Sequence, residues 1–324
     1  MKYLAPNSLK ISLLGILLVV AFSGFGQQQW QYSQYMNNNF LLNPAEGGTE
    51  EFTDIKVGGR LQWVGLSGAP TSMFVSAHHP LNKNREDAPS DVKPMSHHGV
   101  GGYISNDQTG PTSRLSAYGS YSYHLPVTHK LTVSFGAFLG VKQYSLDASY
   151  LDWETDAPDA AVQGANTDYL PDASFGIWAY HENWYIGASS FQLFQNKLDV
   201  GTVNSTEVAS LSMHHFITAG YKVPVSEKVF VVPSVVAKAV KGAPIQFDLN
   251  AKVRYEDKFW GGLSYRNKDA IVFLIGATLK DQFDVGYSYD LNISNLNNYN
   301  GGSHEILLGY RWHHSDKIVP AQFW

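Results

Sequence analysis

Apolar and polar side chains alternate along most of this chain. Over residues 245–255, Ile245, Phe247, Leu249, Ala251, Val253 and Tyr255 interleave with Gln246, Asp248, Asn250, Lys252 and Arg254. One face is apolar and the other polar, the period-2 signature of a strand. The same holds for Leu131, Val133, Phe135, Ala137, Leu139 and Val141 against Thr132, Ser134, Gly136, Gly140 and Lys142. It holds again for Phe283, Val285, Tyr287 and Tyr289 against Asp284, Gly286, Ser288 and Asp290. Eleven further segments read as strands: 55–64, 71–79, 99–106, 114–125, 172–180, 184–190, 216–223, 229–238, 259–265, 270–279 and 305–312. Strands of about ten residues are long enough to cross a bilayer when tilted, whereas ordinary strands average about five or six. The pattern predicts an all-β fold, a transmembrane antiparallel β-barrel of about 14 strands. A soluble β-sandwich explains it less well, because the second face of these strands is polar rather than a partner for another sheet.

Connections sort into two classes. Those at 126–129, 181–183, 224–228, 256–258 and 280–282 are tight, while those at 145–171, 191–215 and 291–304 are long. Outer-membrane barrels keep short turns in the periplasm and long loops outside. Only the long, polar connection at 80–98 breaks this order. The barrel is expected over residues 55–312, with a periplasmic tail at 313–324.

The N-terminus carries Lys2 and Lys10, an apolar run over 11–22 and the small residues Gly24 and Gly26. This predicts a signal peptide over residues 1–26. The run is too short for a spanning helix, which needs roughly 20 apolar residues. Residues 27–54 lack strand periodicity yet hold Tyr32, Gln34, Tyr35, Met36, Phe40, Leu41 and Leu42, followed by Asn43 and Pro44. Burial of each aromatic or aliphatic side chain is worth about 1.5–3 kcal/mol. The segment is therefore expected to fold back into the periplasmic side of the lumen as a partial plug, with a turn at Asn43-Pro44.

Composition narrows the chemistry. Of 324 residues, 44% are hydrophobic, 16% are charged and none is Cys, with a net charge of −5. There is no disulfide, thiol nucleophile or lipoprotein Cys, and no cationic field to attract a nucleic acid. The pairs His78-His79, His97-His98, His214-His215 and His313-His314 cannot chelate one ion from a regular strand, because neighbours point to opposite faces. His304-Glu305 lacks the second His of a zinc-protease helix, since Leu308 stands there. Asp152, Glu154, Asp156, Asp159 and Asp168 read as a solvated loop without the spacing of a calcium site. No enzyme, metal or cofactor is expected.

Both ends of the chain carry recognisable motifs. Gln31-Tyr32-Ser33-Gln34-Tyr35-Met36, Asn43-Pro44-Ala45, Arg60-Leu61-Gln62-Trp63 and Pro70-Thr71 open it. Gly262-Leu263-Ser264-Tyr265-Arg266, Tyr287-Ser288-Tyr289-Asp290 and Gly302-Ser303-His304-Glu305-Ile306 close it. In order and spacing this resembles the PorP/SprF family of type IX secretion outer-membrane proteins, although Asn37-Asn38-Asn39-Phe40 departs from the aromatic-Asn pair more frequent there. The resemblance implies a barrel in the outer membrane of a Gram-negative, Bacteroidota-type bacterium, without enzymatic activity. It implies as partners a secreted cargo protein, through the C-terminal domain of a surface adhesin such as those used in gliding motility, together with other secretion or motility components and outer-membrane lipid. No nucleic-acid partner is implied.

Two groups of residues are candidates for binding. Arg60, Gln62, Arg266, Asp290 and Glu305 fall on the polar face near the external mouth once the first and last strands pair, and could lock a plug or dock a partner. Tyr150, Trp153, Tyr169, Phe191, Phe194 and Tyr299 lie in the long connections and would supply aromatic anchors for cargo. The alternative function is a channel for small or apolar solutes, which requires an open lumen or a lateral gap.

Overall fold

The computed structural model describes residues 32–83, 95–147, 166–198, 209–294 and 299–313. Fourteen antiparallel strands form its wall. They are β1 Thr53–Leu61, β2 Thr71–Leu81, β3 His97–Thr109, β4 Thr112–Pro126, β5 Thr132–Leu146, β6 Asn166–Tyr180 and β7 Trp184–Phe191, then β8 His214–Tyr221, β9 Val229–Val240, β10 Gln246–Tyr255, β11 Phe259–Arg266, β12 Ala270–Leu279, β13 Phe283–Asn292 and β14 Ser303–Trp312. Each pairs with its neighbours in sequence, and β1 pairs with β14 from Thr53↔Trp312 to Leu61↔His304, which closes the barrel. A small ladder, Lys197–Leu198 with Ala209–Ser210, stands apart from the wall. Every one of the fourteen predicted strands overlaps an observed one. The predicted signal peptide, residues 1–26, lies outside the described residues, as do residues 314–324 of the predicted tail.

Closure fixes which side chains point inward. In β1, Asp54, Lys56 and Arg60 are buried while Val57 and Leu61 are exposed. In β10, Asp248, Asn250, Lys252 and Arg254 are buried, and Leu249, Val253 and Tyr255 are exposed. Exposed apolar side chains follow the same parity around the wall, among them Phe135, Ile177, Ile217, Phe273, Ile275 and Ile306. This is the apolar belt that lipid requires.

The inward face is less polar than alternation alone implies. Phe74, Tyr103, Tyr118, Phe138, Phe191 and Phe216 all point inward from β2–β5, β7 and β8, in one half of the wall, and are buried. Phe138 sits at their centre, with ring centroids 5.1 Å from Phe40, 5.1 Å from Tyr103 and 6.1 Å from Phe191. An aromatic belt facing a water-filled channel would be costly, and here it is covered by Phe40, Leu41 and Met36. The barrel thus has a packed core.

Strands β3–β6 have 13–15 residues, against 8–12 in β7–β14. Their surplus lies at the long-loop end, so residues 166–171, expected within a loop, belong to β6. Outward-facing positions there are Gln143, Ser145, Thr167 and Tyr169 rather than aliphatics, and the apolar alternation fades although the strand continues.

The two faces answer differently to substitution. Phe135→Arg on the lipid side should cost about 2–4 kcal/mol through exposure of a charge to hydrocarbon. Phe138→Ala, three residues further along the same strand on its inward face, should cost about 3–5 kcal/mol by opening a cavity. Urea unfolding in liposomes measures both; a negligible loss for Phe138→Ala would mean that the belt is not a packed core.

Candidate functional site: the filled lumen

Residues 32–52 lie against the inward faces of the strands. Three short turns of 3-10 helix, Tyr35–Asn37, Asn39–Leu41 and Pro44–Glu46, shape them. Asn43 starts the third turn, its Oδ1 accepting from the Ala45 N–H at 3.0 Å, and Pro44 follows where a helical N–H would have no partner. The turn predicted at Asn43-Pro44 is thus a capped helix start. The Asn43 Nδ2 donates to the carbonyls of Ile177 at 3.0 Å and Ala188 at 3.2 Å, which ties the segment to β6 and β7.

The wall is recessed to receive it. A Cβ on Gly136 would lie 2.4 Å from the Ala45 nitrogen, and one on Gly176 2.0 Å from Asn43 Oδ1. Backbone approaches the strands this closely only where the strand has no side chain.

Hydrogen bonds hold the segment from one end of the lumen to the other. Toward the long-loop end, Glu305 accepts from the backbone N–H of Ser33 at 2.6 Å and of Gln34 at 2.9 Å. The Ser33 hydroxyl donates to Asp290 at 2.7 Å and accepts from Arg60 and Arg266. At mid-depth, Asn38 donates to Ser76 at 2.9 Å, Lys252 to Asn37 at 3.0 Å and Asn250 to the Tyr35 hydroxyl at 2.6 Å. At the short-turn end, the Gly47 carbonyl meets His124 Nε2 at 2.8 Å and that of Gly48 meets His97 Nε2 at 3.1 Å. The Gly48 N–H reaches His78 Nδ1 at 3.2 Å. The segment therefore runs the length of the lumen instead of staying at the end from which β1 starts, as expected from sequence. Glu46, within the segment, is so buried that its carboxyl is pushed up to about 8, with nearby Lys56 opposing the shift.

Arg60, Arg266, Asp290 and Glu305 come together. Arg60 binds Asp290 at 2.9 Å and lies 3.4 Å from Glu305, and Arg266 binds Asp290 at 3.2 Å. All four are buried. Charges this deep survive because each is paired, and because Glu305 accepts two backbone N–H groups and Asp290 Oδ2 the Ser33 hydroxyl, although Asp290 Oδ1 has no hydrogen-bond partner among the described residues. Gln62 does not join them; it lies just past β1, with its backbone N–H on the Pro70 carbonyl at 3.0 Å. Other inward charges pair along the wall, with Lys238–Asp248 at 2.9 Å, Arg311–Asp284 at 2.8 Å and Lys142–Asp172 at 3.4 Å, while Lys252 and Asp107 bond the neutral side chains of Asn37 and Ser72.

The aromatic anchors read from the long connections are not one group. Phe191 is buried: it is still in β7, opposite His214, and its inward parity packs it on Phe138 and Phe216. It is a core residue and not a loop anchor. Tyr169 is exposed but stands on β6, on the outward face. Phe194 and Tyr299 are exposed outside the barrel strands. Tyr150 and Trp153 lie outside the described residues, as does the acidic stretch around them. Missed from sequence were His78, His97, His124 and Phe138, whose inward parity was the available signal.

A closed barrel of this size with an apolar outer belt is an outer-membrane protein. The sequence profile described as "Type IX secretion system membrane protein PorP/SprF" matches residues 24–310, and the chain belongs to that family. No curated protein sequence matches it. Among solved structures, a Pseudomonas aeruginosa FadL homologue superposes with a TM-score of 0.51 at 7% identity, over 90% of this chain and 96% of that one. The Ralstonia pickettii toluene transporter TbuX gives 0.48 at 10%, over 87% and 94%. The Pseudomonas putida toluene transporter TodX gives 0.47 at 10%, over 90% and 96%. At these identities the likeness is one of fold alone.

Removing the carboxylate that receives two backbone amides tests the upper fastening. Glu305→Ala leaves Arg60 short of a counter-charge, and breaking a buried pair in this way costs about 3–5 kcal/mol. Hydrogen exchange of residues 32–42 should accelerate while the amides of β5 stay protected. Unchanged exchange would mean that the fastening lies elsewhere in the segment.

Proposed function

We propose that this barrel is an anchoring platform: it holds a secreted surface protein at its long-loop end, and residues 32–52 act as a resident plug. The observation that supports this reading is the fastening of the segment from Ser33, beside Asp290 and Glu305, to Gly48, beside His78 and His97. Between these ends the aromatic belt closes on Phe40, Leu41 and Met36. A lumen filled in this way has little use as a route for solutes. Membership of a secretion family supports a protein partner, and the C-terminal domain of a surface adhesin is the cargo class that fits. The long loops would then face outward and the short turns would meet other secretion components in the periplasm.

In planar bilayers the purified protein should conduct negligibly, and a variant lacking residues 27–44 should conduct. Cells without the protein should release a specific secreted surface protein into the medium. Steady conductance by the intact chain, with surface proteins retained in its absence, would replace the platform by a channel for small or apolar solutes.

A further inference from the structure

We propose that the long-loop end of β6 is a strand-addition site, at which an extended segment of the anchored secreted protein pairs with the backbone of Thr167 and Tyr169. This rests on the platform reading above and names its contact surface.

Strand β6 pairs with β5 along its whole length, from Asn166↔Leu146 to Tyr180↔Thr132. It pairs with β7 only from Phe175 to Tyr180. Beyond Phe191 the chain turns away, through residues of positive φ at Gln192 (60°) and Gln195 (47°). Two last contacts reach the vacated edge: the Leu193 N–H donates to the Ala173 carbonyl at 3.1 Å, and Asn196 Nδ2 donates to the Pro171 carbonyl at 2.6 Å.

These contacts reveal the phase of the edge. The N–H and C=O of one strand residue point to the same side, and successive residues alternate. With Ala173 and Pro171 turned toward the vacated side, Tyr169 and Thr167 are turned there too. Among the described residues nothing pairs with their backbone groups. Pro171 fits this phase, because a strand tolerates proline where no ladder N–H is needed.

The free edge stands clear of lipid. Outward side chains change from Phe135, Leu139, Val141, Phe175 and Ile177 to Gln143, Ser145, Thr167 and Tyr169 at this level, and Ser145 and Thr167 join through their hydroxyls at 3.2 Å. Inside, Leu170 is covered by Leu198 and Leu211. Among the described residues, what remains open is the edge itself, flanked by the exposed rings of Tyr169 (68%) and Phe194 (56%).

A row of unpaired amides is a template for another strand, and strand addition draws affinity from the backbone and specificity from alternate side chains. A second copy of this chain is a poor occupant. Two barrels in one membrane are related by an axis along its normal, whereas antiparallel pairing of identical strands needs an axis perpendicular to them. Strands tilted by about 35–45° from the normal cannot satisfy this. A segment of a different protein has no such restriction, and apolar residues at alternate positions would let it lie against Tyr169.

Proline scanning of the edge separates backbone from side chain. Thr167→Pro with Tyr169→Pro removes two N–H groups that face away from β5, so the β5 ladder keeps its bonds; Thr167→Ala with Tyr169→Ala keeps both N–H groups. The expected result is that the proline variant inserts at the wild-type level and loses at least tenfold in surface retention of the secreted protein, while the alanine variant retains most of it. Retention by the proline variant overturns the proposal. Because the chain has no cysteine, Tyr169→Cys carries a single thiol for a photoactivatable cross-linker. An adduct with an extended segment of the retained protein supports strand addition whether or not the proline variant inserts. An adduct only with this chain itself, or none, overturns it. If cells lacking the barrel retain the surface protein as well as the wild type does, the platform reading fails. If those cells release it while the proline variant holds it, only the edge assignment fails.

Discussion

Within hydrocarbon no backbone amide can go without a partner, and this constraint governs the whole structure. Strands satisfy it only as a closed ring, which here means that β1 must meet β14. Closure in turn assigns every second residue to lipid and the others to an enclosed space. That is why aliphatic residues of β10 face outward while Asp248, Lys252 and Arg254 face inward. Once the ring exists, the enclosed volume must hold either water or protein.

In this chain residues 32–52 lie within it, against the inward faces of the strands. Their contacts have two physical parts. One half of the wall offers aromatic side chains, and Phe40 completes their contacts with Phe138 and His78. The other half offers charges, most of which are neutralised in pairs or bonded to the segment, as Glu305 is through backbone amides and Lys252 through Asn37. Burying such charges costs several kcal/mol per ion unless each is paired. The network of Arg60, Arg266, Asp290 and Ser33 meets that requirement. Inward glycines at Gly136 and Gly176 supply the room.

The strands were legible because lipid imposes a strict period of two on any residue that faces it. The pattern failed where lipid ends: Tyr169 continues β6, but with Thr167 as its outward neighbour nothing apolar remained to mark the strand. Phe138 was overlooked for the opposite reason, since an aromatic residue at an inward position breaks the polar alternation unless something covers it. The cluster of Arg60, Asp290 and Glu305 followed from strand pairing alone. Gln62 did not belong to it, because β1 ends at Leu61 and the register with β14 ends there too. The path of residues 32–52 could not be read from any period, as it depends on His124, Asn250 and Gly176, scattered over 126 residues of sequence.

The upper fastening joins Ser33 to Glu305, 272 positions later. Its acceptor belongs to the last strand, so this end of the N-terminal segment cannot be fastened until the final hairpin has been synthesised, delivered and stitched to β1. Assembly therefore has a built-in completion signal. A barrel arrested before β14 docks leaves the Ser33 and Gln34 amides without their acceptor, and this loose end of the segment would mark the unfinished protein for proteolysis.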